Sequence, residues 1–226
     1  MRILVLSDNF PPQSTGGSGI IAHRLAHAFK DKGHEIYVIT CVQDKNEAGI
    51  IEHDGITIYK IYSYHHTRWN AYLGLYNPQT VGRVKKIIKK IKPDVVHAHD
   101  LHSHLSYHCL KLARQNARGV FLTAHGVMTF HYGKLTEFSP KTREGLKTGF
   151  DYRVSAWQQF RKFKWRYNPF RNIIIRHYLR YVDKIIAVSQ ALKDALNQNC
   201  IQNVEVIHNG IDVDEWRISD NKLQEF

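Results

Sequence analysis

The first 33 residues constrain the fold most, because they combine a buried strand, a glycine-rich loop and an amphipathic helix. Arg2 to Leu6 has the unbroken apolar pattern of a strand covered on both faces. The loop from Phe10 to Gly19 follows, and its glycines can adopt positive φ and let a ligand approach the backbone. These glycines are Gly16, Gly17 and Gly19. The order strand, loop, helix predicts the first half of a βαβ unit.

The start of this helix has the properties of an anion site. Ser14, Thr15 and Ser18 are available as caps, and Gly33 supplies the stop after about Lys32. A helix N-terminus carries unpaired N–H donors and about half a positive charge, which favours phosphate. An ordinary glycine-rich connection explains the same residues, so the local sequence leaves both interpretations open.

Composition predicts an ordinary soluble protein. With 226 residues, 43% of them hydrophobic, the chain can form one large α/β domain or two small ones. It has no run of 18 apolar residues and no signal-peptide core, so a cytoplasmic location is the default expectation. The three cysteines are far apart in the sequence, which argues against a disulfide framework and a Cys-x-x-Cys metal pair.

The net charge of +12 is concentrated in one segment. Residues 141–182 hold eleven Lys/Arg against Glu144 and Asp151, which favours an anionic partner such as nucleic acid, acidic lipid or a phosphorylated substrate. A solvated helix face explains the same charge. Tyr152 to Tyr181 also interleaves aromatic and basic residues, as interfacial helices do, and therefore predicts an acceptor-side element or a peripheral membrane contact.

Within that segment the aromatic residues Trp157, Phe160 and Phe163 recur at helical spacing and are expected to pack on the sheet. Pro169 is expected to divide the helix. Binding of nucleic acid is disfavoured because no recognised nucleic-acid module occurs in the sequence.

Strand and helix patterns alternate along the rest of the chain, which predicts a doubly wound, mostly parallel α/β sheet of Rossmann-like type with helices on both faces. The predicted elements are a strand at Glu35–Cys41, a hairpin over residues 50–62 that turns at Asp54–Gly55, a helix at Gln79–Lys92, a strand at Asp94–Ala98, a helix at Leu101–Asn116, a strand at Gly119–Ala124, a long polar loop at His125–Gly149, a strand at Lys184–Val188, a helix at Gln190–Gln198 capped by Ser189, and a strand at Val204–Ile207.

Ligands of such sheets bind beyond the carboxyl ends of the strands. That rule selects four short segments, which are expected to share one edge: Ser7–Gly19, His97–His104, His125–Gly126 and Ser189. Their convergence favours the phosphate interpretation of the glycine loop, because the loop then has polar companions.

Nucleotide-binding motifs fit this edge poorly. Gly17-x-Gly19-x-x-Ala22 formally matches the dinucleotide fingerprint, but about ten residues, including Pro11-Pro12, separate it from the strand. The sequence has no Gly-Lys-Ser/Thr element, which excludes a P-loop nucleotidase.

A metal-dependent hydrolase is a second alternative. His97-Ala-His99 places two imidazoles on one side of an extended segment, with Asp100, His102 and His104 nearby. Only His125 is plainly placed to add a ligand from another strand, so this alternative is the less favoured one.

Group transfer from a phosphate-bearing donor is the third chemistry, with His125 near the transferred group and Asp100 near the acceptor. Six motifs occur in order: Asp8–Gly17, Leu25–Ile36, Pro93–Asp100, Thr123–Gly126, Ile186–Ser189 and Val206–Asp212. Together they resemble the N-terminal domain of family 4 glycosyltransferases of the two-domain GT-B type, a group that includes glycogen synthase-like and lipid-glycan enzymes.

The resemblance implies a retaining transfer from a nucleotide-sugar donor to a sugar, glycan or lipid acceptor, generally without a metal or other cofactor. Gly16 and Gly17 would bind the donor diphosphate through backbone N–H groups, and His125 would contact the donor sugar. Asp100 would lie toward the acceptor. Without the second domain, the alternative of an anionic-ligand or nucleic-acid binding module that lacks catalysis stays open.

The resemblance also implies a domain division. Residues 1–208 would form the Rossmann-like acceptor-side domain, and residues 209–226 would begin a linker toward a C-terminal donor domain that is absent from this sequence. We therefore expect a fragment, or a subunit completed by a partner, that transfers little sugar by itself.

Overall fold

The computed structural model of the chain describes residues 1–12, 16–133, 139–143 and 146–210. The strands are β1 (Arg2–Ser7), β2 (Glu35–Val42), β3 (Gly49–His53), β4 (Ile56–Tyr62), β5 (Val95–His99), β6 (Gly119–Ala124), β7 (Ser139–Arg143), β8 (Leu146–Asp151), β9 (Lys184–Ala187) and β10 (Val204–Val206). The α-helices are α1 (Gly17–Asp31), α2 (Asn70–Leu73), α3 (Val81–Ile91), α4 (His108–Arg114), α5 (Ala156–Phe163), α6 (Arg171–Leu179) and α7 (Gln190–Gln198).

Eight of these strands form one sheet in the order β10-β9-β6-β5-β1-β2-β4-β3. All neighbours are parallel except β3, which pairs antiparallel with β4 at the edge. Because β1 lies between β2 and β5, the chain winds outward from β1 in both directions, and the topological switch point falls between β1 and β5. The predicted fold class is confirmed.

Side-chain alternation along β1 divides the core between the two faces of the sheet. Leu4 and Leu6 join the larger core, which includes the apolar stripe of α3. Ile3 and Val5 join the smaller core on the other face, where Ala22 and Ala26 of α1 pack. Helices therefore cover both faces, as the sequence predicts.

The predicted hairpin is present, and its turn explains its sequence. Asp54 and Gly55 both have positive φ, 50° and 68°, as the two central residues of a type I′ turn require. Ser189 is the N-cap of α7, as predicted, and its side chain accepts a hydrogen bond from the Leu192 N–H at 3.2 Å.

The helix predicted from Leu101 begins later, at His108. The N–H groups of Ser103, His104 and Leu105 donate to the carboxylate of Asp8 and are thereby held in a loop. The segment expected to be a polar loop also contains regular structure, a 3₁₀ turn at Val127–Thr129 and the β7–β8 hairpin.

The aromatic segment divides near Pro169 into α5 and α6, as predicted, but the three aromatic residues of α5 do not pack on the sheet as expected. Trp157 is 65% exposed. Phe160 and Phe163 pack in a separate small cluster with Tyr132 and Tyr167. The cause is Gln159, which is buried and hydrogen-bonded to the backbone of the segment after β6, at Tyr132 N (2.6 Å) and Phe130 O (3.2 Å).

Over the described ranges, each helix is too short or too polar to cross a bilayer. Most of the expected linker, residues 211–226, lies outside the described residues.

Candidate active site at the carboxyl edge of the sheet

Helix α1 begins at the two glycines that the sequence singles out. Gly16 is the N-cap, with extended backbone angles (φ −64°, ψ 142°), and Gly17 is the first helical residue. Positive φ is therefore not what these positions require. Among the described residues, no atom lies within 4 Å of a Cβ placed on Gly17, and Gly16 and Gly17 are exposed, so this side of the helix N-terminus borders open space. Of the expected caps, Ser14 and Thr15 lie outside the described residues, and Ser18 lies within the helix.

Gly19 has a different role in the same turn. A Cβ there would lie 2.8 Å from the carbonyl oxygen of Asn9. Only glycine allows the helix to approach the loop after β1 this closely. The glycine loop thus combines one position that needs close packing with one that faces open space.

Asp8 connects β1 to the loop after β5. Its buried carboxylate accepts hydrogen bonds from the N–H groups of Ser103 (2.7 Å), His104 (3.1 Å) and Leu105 (2.5 Å). Burial raises the pKa of Asp8 to about 7, although the three N–H donors favour the ionised form. Asp8 lies within the predicted edge segment Ser7–Gly19 but is not among the predicted site residues; its position directly after a buried strand is the sequence signal for it.

Asp100 is the first residue after β5, and it has a left-handed backbone (φ 41°). Its carbonyl oxygen accepts a hydrogen bond from the N–H of Asp8 at 3.3 Å. The carboxylate lies 4.0 Å from Nδ1 of His102 and is about one-fifth exposed. Asp100 therefore presents an accessible negative charge at the sheet edge.

His125 is held by a second histidine. Nε2 of His125 lies 2.9 Å from Nδ1 of His99, and the two rings are stacked with centroids 5.2 Å apart. Burial lowers the pKa of His99 well below its usual value. Burial also lowers the pKa of His125, an effect that the charge of Asp100 opposes. Both rings are therefore neutral at pH 7, and the hydrogen bond between them contains one proton.

The surroundings of His99 determine which nitrogen carries that proton. Nε2 of His99 is buried and has no hydrogen-bond partner within the described part of the chain. A proton there would leave a buried N–H donor unpaired, whereas Nε2 without a proton leaves only a lone pair unpaired, and unpaired buried N–H donors are the rarer case in proteins. The favoured arrangement has His99 donate from Nδ1 to Nε2 of His125. Neutral imidazole carries one N–H proton, and Nε2 of His125 accepts a hydrogen bond in this arrangement. The proton of His125 is therefore on Nδ1, which acts as a donor.

Within the described residues, the His-x-His pair is not part of a group of three or more converging metal ligands. Nε2 of His97 lies 2.8 Å from the Thr123 hydroxyl, and His99 is engaged with His125. Burial lowers the pKa of His97 to about 4. In the described ranges, three ligand atoms converge elsewhere, at His23, His53 and Asp54.

Strand register explains why these residues meet. Ser7 is level with His99, and His99 with Thr123, so the residues that follow the three strands emerge side by side. Asp8, Asp100 and His125 thus share the edge at which α1 begins. The structure brings the predicted site residues to one edge, and their roles remain predictions.

We expect ¹⁵N NMR of the histidine side chains to show the proton of His125 on Nδ1. His99→Asn keeps an N–H donor near the position of Nδ1 and should preserve this tautomer. His99→Leu removes the donor and should let the proton redistribute between the two nitrogens of His125. A proton on Nε2 of His125 in the unsubstituted chain would contradict the assignment.

The chain is similar in sequence or in structure to several known proteins. An uncharacterized glycosyltransferase of Methanocaldococcus jannaschii is 28% identical over 104 residues, which are 46% of this chain and 26% of that protein. Sucrose-phosphate synthase from Thermosynechococcus elongatus superposes with a TM-score of 0.64 and 16% identity, over 94% of this chain and 49% of that one. The catalytic domain of starch synthase IV from Arabidopsis thaliana, bound to ADP and acarbose, superposes with a TM-score of 0.56 and 15% identity. The match covers 95% of this chain and 52% of that one.

The chain thus matches about a quarter of the archaeal relative and spans about half of each of the two structures. The structural similarity supports the Rossmann-like fold. A family model, Glycosyltransferase Family 4, matches residues 15–215. Since that match covers most of the sequence and includes five of the six motifs in full, the chain belongs to Glycosyltransferase Family 4.

Proposed function

We propose that this chain is the acceptor-side N-terminal domain of a retaining glycosyltransferase, which moves a sugar from a nucleotide-sugar donor to a sugar, glycan or lipid acceptor. One observation carries the proposal: α1 starts at Gly16–Gly17, beside open space, at the same sheet edge as His125 and Asp100. Family membership supports it.

The N-terminus of α1 is proposed to bind the donor diphosphate. The first N–H groups of a helix have no acceptor within the helix, and the helix dipole adds about half a positive charge. Glycine at the N-cap and first helical positions lets phosphate oxygens reach these donors. Because the leaving diphosphate gains negative charge as the glycosidic bond breaks, donors fixed in advance stabilise the transition state without a metal.

His125 and Asp100 are proposed to act on the two sugars. With its proton on Nδ1, His125 donates a hydrogen bond to the donor sugar while Nε2 stays bonded to His99. Asp100 accepts a hydrogen bond from a hydroxyl of the acceptor, since its carboxylate is partly exposed. These roles place donor and acceptor on either side of the carboxyl edge.

Gly17→Asp should weaken binding of UDP, ADP, GDP and inorganic pyrophosphate by at least about tenfold, because it puts a carboxylate where the diphosphate would lie. The same change should preserve or raise stability, since an acidic residue in the first turn favours a helix. Titration followed by NMR, together with thermal unfolding, measures both quantities.

Gly82→Asp is the matched control. Gly82 lies in the first turn of α3 and is exposed, and no atom of the residues that the structure describes lies within 4 Å of a Cβ placed there. Binding of the diphosphates should be unchanged in this variant. Equal binding by the Gly17→Asp variant and the unsubstituted chain would remove α1 from the donor site.

Turnover is proposed to need a second domain, because the chain spans only about half of each structure it resembles. We expect the 226-residue chain to show no measurable transfer or hydrolysis with UDP-, ADP- or GDP-sugars. The assay for donor turnover should measure the release of the nucleoside diphosphate. Release well above that of a His125→Ala control would contradict the proposal.

We also propose that α5 and the turn after it bind a membrane that contains anionic lipid. Trp157 stacks on Phe160 (6.0 Å between centroids), and Trp165 contacts the same ring edge-on (6.1 Å). Trp157 and Trp165 are 65% and 78% exposed. The side chains of Arg161, Lys162, Lys164 and Arg166 are exposed around them. We call these residues the aromatic–basic surface.

This surface is held rigidly and has one sign of charge. Residues 152–182 contain eight Lys/Arg and no Asp/Glu. Ser155 and Gln158 form a capping box at the start of α5, and the buried Gln159 fixes the helix from below. Exposed tryptophan beside basic residues is the composition of interfacial helices, and acidic head groups complement the charge.

Reversing three charges in Arg161→Glu/Lys164→Glu/Arg166→Glu should lower affinity for phosphatidylcholine–phosphatidylglycerol vesicles by at least about tenfold. Trp157→Ser/Trp165→Ser should lower it as well, and brominated lipid should quench tryptophan fluorescence less in that variant. Vesicle co-sedimentation measures the affinity.

Two matched variants control for net charge and for loss of aromatic surface. Lys85→Glu/Lys86→Glu/Lys89→Glu reverses three exposed charges on α3, and Trp69→Ser removes an exposed tryptophan elsewhere. Both should bind vesicles like the unsubstituted chain. Binding to RNA or heparin without binding to vesicles would assign the surface to another polyanion and overturn the membrane proposal.

A further inference from the structure

A group of three histidines and one aspartate lies on the side of α1, away from its N-terminus. His23 and His27 are four residues apart and therefore share one face of the helix. His53 and Asp54 reach the same place from the end of β3 and the turn that follows it. Neither the fold nor the proposed sugar chemistry uses these four side chains.

The ligand atoms of His23, His53 and Asp54 converge, and His27 lies beside two of these residues, His23 and Asp54. Nε2 of His23 lies 3.1 Å from Nε2 of His27. One carboxylate oxygen of Asp54 lies 3.5 Å from Nε2 of His53 and 3.9 Å from Nε2 of His27. The ligand atoms of His23, His53 and Asp54 all lie within 4.8 Å of one another.

The three separations of 3.1, 3.5 and 3.9 Å are close to those around a tetrahedral zinc ion, and the remaining ones require small shifts of the side chains. Zinc–nitrogen bonds of about 2.0–2.1 Å place neighbouring ligand atoms about 3.3 Å apart. Three imidazoles and one carboxylate are a donor set that zinc accepts.

From this geometry we infer that His23, His27, His53 and Asp54 form a structural zinc site that clips the β3–β4 hairpin to α1. Four protein ligands fill the coordination sphere, as in structural rather than catalytic sites. His23, His27 and Asp54 also line a cavity of about 910 Å³, through which an ion can enter. Lys30 donates to the carbonyl oxygen of Asp54 and orients the turn.

Asp54 occupies a position that few residue types can fill. Its φ of 50° is left-handed, a conformation that aspartate and asparagine tolerate better than most residues. Asp54→Asn therefore keeps the turn while it removes the carboxylate. This variant therefore tests the carboxylate as a ligand without disturbing the fold of the turn.

The full chain, purified without a histidine tag, should bind one Zn²⁺ in competition with a chromophoric chelator, and Zn²⁺ should raise its Tm. Substitution of cobalt should give the visible absorption of a tetrahedral site. His23→Gln, His53→Gln and Asp54→Asn should each weaken binding by at least about tenfold, since loss of an outer-shell partner alone costs that much.

His177→Gln, an exposed histidine on α6, is the matched control and should bind zinc normally. His99→Asn distinguishes the two histidine groups and should also leave zinc binding intact. Loss of zinc in His99→Asn with retention in His23→Gln would place the metal at the His-x-His pair and overturn the inference. Failure of the unsubstituted chain to bind zinc, or equal binding by all variants, would overturn it too.

Discussion

The candidate site depends on the hydrogen bonds that the buried carboxylate of Asp8 accepts. The carboxylate accepts hydrogen bonds from three backbone N–H groups of the loop after β5, those of Ser103, His104 and Leu105. The loop is thereby fixed against β1, and Asp100 is left in a left-handed conformation at the sheet edge. Removing the carboxylate would leave three N–H groups of this loop without their acceptor, so the position of Asp100 is tied to a residue more than 90 positions away.

Features set by neighbouring residues could be predicted from the sequence. The β3–β4 turn follows from Asp54-Gly55, the cap of α7 from Ser189, and the sheet from the alternation of apolar strands with amphipathic helices. Features set by distant contacts could not. The loop before α4 is hydrogen-bonded to Asp8, which is more than 90 positions away, and the orientation of α5 depends on Gln159, a polar residue whose burial no periodic pattern indicates.

In the candidate site, too, some features could be predicted from the sequence and others depend on distant contacts. The rule for parallel sheets was enough to bring Gly16, Gly17, Asp100 and His125 to one edge, because it depends only on topology. It could not show that His99 contacts His125, since the two are 26 residues apart and on different strands. Nor could the rule show why the glycines are needed. Gly19 allows close packing against Asn9, and Gly17 leaves open space beside the helix. Gly16 does not adopt the positive φ that the sequence led us to expect.

Helix α1 connects the two histidine-rich regions of the molecule. Its N-terminus borders the proposed diphosphate site, and its middle carries His23 and His27. Ala22 and Ala26 pack on the sheet with small side chains, which permit a close approach but give few contacts to resist a shift along the helix axis. A zinc ion shared with the β3–β4 hairpin would supply that resistance. Because hydrogen bonds weaken steeply with distance and angle, holding α1 in place would keep its first N–H groups aimed at a phosphate.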